Sequence, residues 1–413
     1  MNNLNLRWEL GKVSTDAFHR AVLKNEFEKL KEATPNVYSH RRSQLSFAIS
    51  SLALDPTGQF LLSTSEDGSV ALWALDEQYV DDKICNKRVR LAKGESREQG
   101  PSRPSKTHIV ARPGMQGKRP RFRTYIGAPP PPLPVEHHAF AVTSVKWYTQ
   151  DNGLFFTGSN DEKVKLWDTN SFQVVHSLDI AHRVSQLDTR DDLIAIASED
   201  SHPRLVDLKS MSAAITLGVR HSGMKFGINT AKFSTGSHPM LATGDEDGNA
   251  RVWDLRMGNK ALCDLTEPDT LAKAHAKSCN DLCWNPTGGS EIVTTGNDGK
   301  CKVWSLEQGK SKLLLQLGST DLMRNRFKRR TSHYLMWHGP YVFWNSDYGE
   351  VLAFQAHDGK LWNTFEYPLV NTKTTKTPRF QSMALQTSLS NTIGMRMFLG
   401  TDHIHGQVLE YRT

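Results

Sequence analysis

Apolar and polar positions along this chain alternate in short runs. VTSVKW (142–147), INTAKF (228–233) and NDLCWN (280–285) show the period of two expected of strands with one buried face. Downstream of such runs stand acidic turns leading into a second strand-like segment: SEDGSVALWAL (65–75), SNDEKVKLWDT (159–169), SEDSHPRLVDL (198–208), GDEDGNARVWDL (244–255) and GNDGKCKVWSL (296–306). In all five an aspartate lies six residues before a shared apolar position. Asp67, Asp161, Asp200, Asp247 and Asp298 precede Trp73, Trp167, Val206, Trp253 and Trp304. NSDYGEVLAFQA (345–356) brings Phe354 into the same register, and FLGTDHIHGQVLEYRT (398–413) supplies a seventh copy.

From Trp167 onward these positions are 39, 47, 51 and 50 residues apart. A repeat of roughly 40–50 residues with this signature predicts an all-β fold, a seven-bladed WD40 β-propeller. A unit of four short strands cannot bury a face alone, but radially stacked blades cover one another. The chain stops two residues after Tyr411, so the outer strand of the last blade is expected from residues near Val37–His40, which removes an open sheet edge.

Each turn aspartate can accept hydrogen bonds from its own turn and from a histidine of the preceding loop. The candidate pairs are His138 with Asp161, His221 with Asp247 and His275 with Asp298. Ser159 and either Thr294 or Thr295 are the expected hydroxyl links to Trp167 and Trp304. Removing one member of such a buried network should cost about 1–3 kcal/mol. These sets look like catalytic triads by composition, but they recur blade after blade, which assigns them a structural role.

Two segments fall outside the blade pattern. In STDAFHRAVLKNEFEKLKE (14–32), Phe18, Val22, Leu23, Phe27 and Leu30 follow helical steps; Ser14 or Thr15 can cap the helix, and Pro35 lies beyond its end. This helical extension (1–35) precedes a propeller spanning 36–413. Its apolar stripe either folds back on the propeller or docks a partner. Residues 78–135 form a basic, proline-rich insert, with 13 Lys/Arg against 4 Asp/Glu. That is +9, against +7 for the whole chain, so the remainder carries −2. Its composition suits disorder, and APPPPLP (128–134) suits an extended run. The insert reads as a solvated linker, a nuclear-import signal (Lys118, Arg119, Arg121, Arg123) or a sequence-independent attractor of nucleic acid. RNRFKRR (324–330), with Lys328, Arg329 and Arg330, is either a second import signal or a charged loop.

The N-terminus lacks the apolar core of a signal peptide, and no run is long enough to span a membrane. Five scattered cysteines favour reduced thiols in the cytosol or nucleus. His275, Cys279, Cys283 and Cys301 match no compact zinc motif, and the cysteines read as buried or half-buried strand thiols, so no metal is expected. No phosphate loop, HExxH or nucleophile elbow occurs, and no cofactor is called for. Binding, not catalysis, is the expectation.

SVKWYTQDNGLFFTGSNDEKVKLWDTNSF (144–172), LVDLKS (205–210), MLATGDEDGNARVWDLR (240–256) and KAHAKSCNDLCWN (273–285), in this order, resemble the Cockayne syndrome group A protein family, in a fungal form. The resemblance spans about 47–354 and is weaker in the N-terminal helix and last blade. It implies a non-catalytic substrate receptor of a cullin-RING (cullin-four type) ubiquitin ligase, acting in the nucleus in transcription-coupled nucleotide excision repair. The implied partners are a damage-specific DNA-binding protein 1-like adaptor, a Cockayne syndrome group B-like translocase and stalled RNA polymerase II. Such receptors carry a W-D-x-R ending to a blade strand, matched here by Trp253, Asp254 and Arg256. An arginine there offers a planar donor fork to an adaptor, with the helix residues Phe18, Val22, Phe27 and Leu30 as a second contact. The chain departs from the family in its basic insert, in lacking an acidic tail, and in Trp167-Asp168-Thr169-Asn170, which has no arginine. A different adaptor, or a chromatin- or RNA-binding scaffold without ligase attachment, is the alternative.

Overall fold

Alternating side chains give each strand two faces, and in this chain both faces are mostly covered. A computed structural model describes residues 14–39, 48–75, 108–111, 137–150, 152–209, 215–218, 224–267, 272–318, 334–368, 378–386, 394–403 and 406–413. These residues build seven four-stranded antiparallel sheets, the blades of a β-propeller. The inner strands of blades one to seven are Ile49–Leu54, Val142–Trp147, Val184–Arg190, Ile228–Phe233, Cys279–Trp284, Leu335–His338 and Phe380–Gln386. The predicted register holds throughout: Trp73, Trp167, Val206, Trp253, Trp304 and Phe354 occupy equivalent third-strand positions, and Tyr411 takes the seventh. Each large residue fills the gap to a neighbouring blade. Trp253, for example, packs with Ala195 and Leu205 of blade three.

Six of the seven inner strands carry a β-bulge one residue after their start, at Ser50, Thr143, Ser185, Asn229, Asn280 and Gln381; blade six pairs without one. A bulge adds an unpaired residue and re-aims its side chain. All six of these polar residues line the central funnel. The turns are equally constrained. Gly248 has φ +86°, and a Cβ there would stand 2.2 Å from the His275 carbonyl of the next blade, so only glycine fits.

The ring closes as the pattern predicts. Asn36–Ser39 pairs antiparallel with Gln407–Arg412 as the outer strand of blade seven. Blade one differs from expectation. Its outer strand, His108–Ala111, comes from within the segment read as an insert and pairs with Val70–Ala74. The reason is the same edge requirement: a three-stranded blade would leave the row beyond Trp73 open. The rest of 78–135, including Lys118, Arg119, Arg121 and Arg123, lies outside the described residues, as do Lys328, Arg329 and Arg330.

Helix α1 (Thr15–Glu32) is capped by Ser14, whose hydroxyl accepts from the Ala17 N–H at 3.3 Å. It folds back onto blades six and seven. Phe27 and Leu30 are fully buried among Tyr341, Phe343, Met397 and Tyr411. The Phe27 ring meets Tyr341 edge-on at 4.7 Å and Trp362 at 6.0 Å. Thr413 Oγ1 donates to Glu26 at 2.6 Å, tying the C-terminal strand to the helix. Of the two destinations the stripe allowed, the propeller's own apolar surface claims Phe27 and Leu30, so they are not the partner contact the resemblance implied. Val22 and Phe18 lie about one and a half and two and a half turns before Phe27 and are only partly buried.

Truncating a buried phenylalanine removes transfer free energy and leaves a cavity. Phe27→Ala should therefore lower stability by about 3–5 kcal/mol in urea titrations. A loss below about 1 kcal/mol would show that the helix does not dock as described.

Candidate functional site

In a propeller the second-to-third strand turns and the blade-to-blade loops share one face, here called the turn face. The third-strand ends share the opposite face. Two kinds of polar construction hold them.

On the turn face, blades two and five contain complete relays. Trp167 Nε1 donates to Thr157 Oγ1 at 2.7 Å, Thr157 meets His138 Nε2 at 2.6 Å, and His138 Nδ1 meets Asp161 at 2.8 Å. In blade five Trp304 reaches Thr294 at 2.9 Å, Thr294 reaches His275 at 2.9 Å, and His275 reaches Asp298 at 3.1 Å. Each tryptophan can only donate, so the threonine must pass its own proton to Nε2, and the ring then donates Nδ1–H to the aspartate. Burial holds both histidines below their ordinary value despite the neighbouring carboxylates, which keeps them neutral. Burial opposes ionisation of Asp161 and Asp298 as well, but the histidine hydrogen bonds prevail and hold both carboxyls below the usual range.

Ser159 is not the link to Trp167. Its hydroxyl donates to the Phe140 carbonyl and accepts from the Asp161 N–H. The indole instead reaches the diagonal cross-strand neighbour, ten residues earlier in sequence, as do Trp73 with Ser63 and Trp253 with Thr243. The other turn aspartates are held differently. Asp67 accepts from Ser69 N–H, Asp200 is forked by Arg204, and Asp247 pairs with Lys273. His221, the expected partner of Asp247, lies outside the described residues. His275 is thus committed to its relay, and burial raises the Cys279, Cys283 and Cys301 thiols, Cys283 to about 12. No group that could hold a metal occurs among the described residues.

On the opposite face the third strand of blade four, Ala250–Asp254, runs into a single 3-10 turn, Leu255–Met257. Trp253 is fully buried; it anchors the strand and presents nothing to a partner, contrary to its expected docking role. Asp254 caps the turn by accepting from the Arg256 N–H at 3.0 Å. Its two carboxylate oxygens also take the Arg256 fork, from Nε at 2.9 Å and from a terminal nitrogen at 2.6 Å. These bonds hold the Asp254 carboxyl down at about 2. The Arg256 side chain is 65% exposed, so the guanidinium N–H groups not taken by Asp254 are open to solvent from a fixed position. Met257, 74% exposed, stands beside it. Helix α1 lies on this same face, against the first-to-second strand turn at His338–Tyr341 and the strand end at Tyr411.

Two features escaped the sequence pattern: the polar funnel lining and the fixing of Arg256 by Asp254. The first was legible only as a polar residue in second place on six of the seven inner strands. The second was present as D-x-R but gave no sign of which acid would pair.

Comparison with known proteins fits this geometry. WD domain, G-beta repeat matches cover residues 36–74, 132–168, 219–254 and 267–305. Radiation-sensitive protein 28 of Saccharomyces cerevisiae, a Cockayne syndrome A homologue, is 30% identical across 96% of this chain and 97% of its own. The chain belongs to the Cockayne syndrome group A family of WD40 proteins. WD repeat-containing protein ATCSA-1 of Arabidopsis thaliana is 39% identical over 124 residues, 29% of this chain and 27% of its own. Histone-binding protein MSI1 of Saccharomyces cerevisiae is 24% identical over 176 residues, 39% of each chain. The second and third matches cover less than half of either chain, and the family assignment rests on the first.

The relays make stability in this Cockayne syndrome group A relative depend on pH. The folded histidines titrate below their unfolded value of about 6.5, so below that pH the unfolded chain binds protons the fold does not, and stability falls. The lowered aspartates act in the same direction further down. The urea midpoint should drop from about pH 7 to about pH 5, and His138→Gln with His275→Gln should start lower but drop less. An equally steep drop would show that these rings do not carry it.

Proposed function

We propose that this protein is a non-catalytic substrate receptor of a cullin-RING ubiquitin ligase of the cullin-four type, acting in the nucleus in transcription-coupled nucleotide excision repair. The observation that carries the reading is Arg256, a guanidinium held outward by Asp254 on the face that also bears α1. A fork already oriented loses less freedom on binding, and arginines so placed dominate interface energetics. It suits a carboxylate or carbonyl of an adaptor like damage-specific DNA-binding protein 1. The turn face is then left for substrate, a Cockayne syndrome group B-like translocase or stalled RNA polymerase II. Membership of a family that includes Radiation-sensitive protein 28 supports the repair setting.

Deleting residues 1–34 is a poor test, because it would also remove Phe27 and Leu30 from the core. Arg256→Ala is the better one, since the side chain is exposed and bonds only within its own turn. It should leave the urea midpoint almost unchanged and weaken capture of the purified adaptor about tenfold or more. Adaptor affinity within twofold of the unmodified protein would remove Arg256 docking from the proposal.

A further inference from the structure

Five residues beyond its bulge, each inner strand gives way to the first-to-second strand hairpin, on the face opposite the turns. In blades one, four and five that residue is Asp55, Ser234 and Asn285, and each bonds a group of its own hairpin. Asp55 accepts the Phe60 N–H at 2.8 Å, Ser234 the Met240 N–H at 3.2 Å and Asn285 the Thr287 N–H at 3.0 Å. In blade two Tyr148 makes one bond forward, to Asp192 at 2.8 Å. Blade three carries Arg190, whose guanidinium grips the hairpin of blade four. One terminal nitrogen donates to the Ser234 carbonyl at 2.9 Å, the Ser234 hydroxyl at 3.0 Å and the His238 carbonyl at 3.3 Å. The other donates to the Gly236 carbonyl at 2.8 Å. Nε lies 3.6 Å from Asp191, whose side chain is 76% exposed, so that pair adds little.

The gripped hairpin, residues 234–239, is the one on which the Arg256 turn rests. The Pro239 carbonyl accepts the Leu255 N–H at 3.0 Å, and Met240 pairs with Asp254 across the sheet. The Arg256 bonds hold the Asp254 carboxyl down, and His238 of this hairpin acts in the same direction. On its far side the hairpin meets blade five. Thr235 Oγ1 donates to the Asn285 carbonyl at 2.5 Å, and a Cβ on Gly236 would stand 3.1 Å from the Gly288 carbonyl. The hairpin is thus held between Arg190 and the wall of blade five, and Leu255 is hung from it.

We propose that Arg190 is the positioning residue of the Arg256 fork: it fixes the 234–239 hairpin, and the hairpin fixes the turn from which Arg256 is presented. The chemistry fits the task. The acceptors lie in two directions, and a planar guanidinium spans both, whereas a lysine ammonium offers all its donors from one point. Asp254 orients the fork from the side-chain end, and Arg190 does so from the backbone end. A group held at both ends loses less freedom when a partner's carboxylate or carbonyl binds it. The consequence for an adaptor rests on the reading of Arg256 as its contact; the positioning itself is a property of blades three and four.

The test compares Arg190→Lys, Arg256→Ala and the two combined, each in the full chain; lysine keeps the charge and the stem, so the fold is retained. Hydrogen exchange read by mass spectrometry follows residues 254–258. Exchange there should speed about fivefold or more in Arg190→Lys, while the blade-two relay at 157–168 stays within about twofold, because local opening depends on local bonds. Capture of the purified adaptor should weaken about fivefold or more in Arg190→Lys. In the Arg256→Ala background the same change should weaken it less than about twofold, since residues acting through one contact are coupled. Equal weakening in both backgrounds would mark a merely structural loss and overturn the proposal. Exchange at 254–258 that stays within about twofold in Arg190→Lys would overturn it too. The two readings fail separately. Faster exchange with capture indifferent to Arg256→Ala removes adaptor docking and keeps the positioning; capture lost in Arg256→Ala with exchange unchanged in Arg190→Lys removes the positioning and keeps the docking.

Discussion

Hydrogen bonds between neighbouring inner strands hold the ring around its axis. The bulged residue reaches the first inner carbonyl of the next blade: Ser50 to Val142, Thr143 to Val184 at 2.6 Å, and Asn229 to Cys279 at 3.0 Å. The following residue accepts an N–H from that same neighbour: Ser51 from Val145, Ser144 from Leu187 at 3.1 Å, Gln186 from Ala231, and Asp281 from Leu335 at 2.8 Å. Backbone groups on the axial side of an inner strand have no ladder partner, and leaving them buried and unmet would cost more than the bonds themselves return. Latching to the next blade answers this need and sets the blade spacing. Asp281 does most, joining Gln186 of blade three, Thr230 of blade four and Leu335 of blade six.

Closure makes the ends of the chain interdependent. Asn36–Ser39 completes the last blade, and the helix before it seals the seam between blades six and seven through Phe27. Tyr334 adds a bond from the entry of blade six to the Ser50 carbonyl of blade one, spanning blade seven. A stretch that reads as an appendage is therefore part of the core, and the apolar surface it covers is not free for a partner. What stays outward on that face includes the Arg256 guanidinium with Met257 beside it.

The two faces differ in how their polar groups are used. On the turn face of blades two and five an aspartate, a histidine and a threonine are consumed in a relay, and the other turn aspartates are tied to backbone or to a cation. On the other face a single Asp254–Arg256 fork orients one cation without consuming it. The two constructions are kept apart by topology alone, because second-to-third strand turns and third-strand ends lie at opposite ends of the same strands.

The repeat was legible because its signals are local. A tight turn demands aspartate and glycine at fixed offsets, and a strand buried on both faces demands large apolar residues at a fixed register, so Trp73 through Phe354 could be aligned before any contact was known. Contacts between side chains distant in sequence were not legible. Thr157, not Ser159, meets Trp167 because strand pairing decides which hydroxyl lies diagonally across. His108–Ala111 joins blade one because an open edge needs a partner, although its surroundings read as linker. The helix was visible, and its destination was not: an amphipathic stripe specifies that something must cover it, while the shape of the seam between blades six and seven decides what does. Periodicity along one chain fixes the elements, and the burial of unmet polar and apolar surface in three dimensions fixes how they are joined.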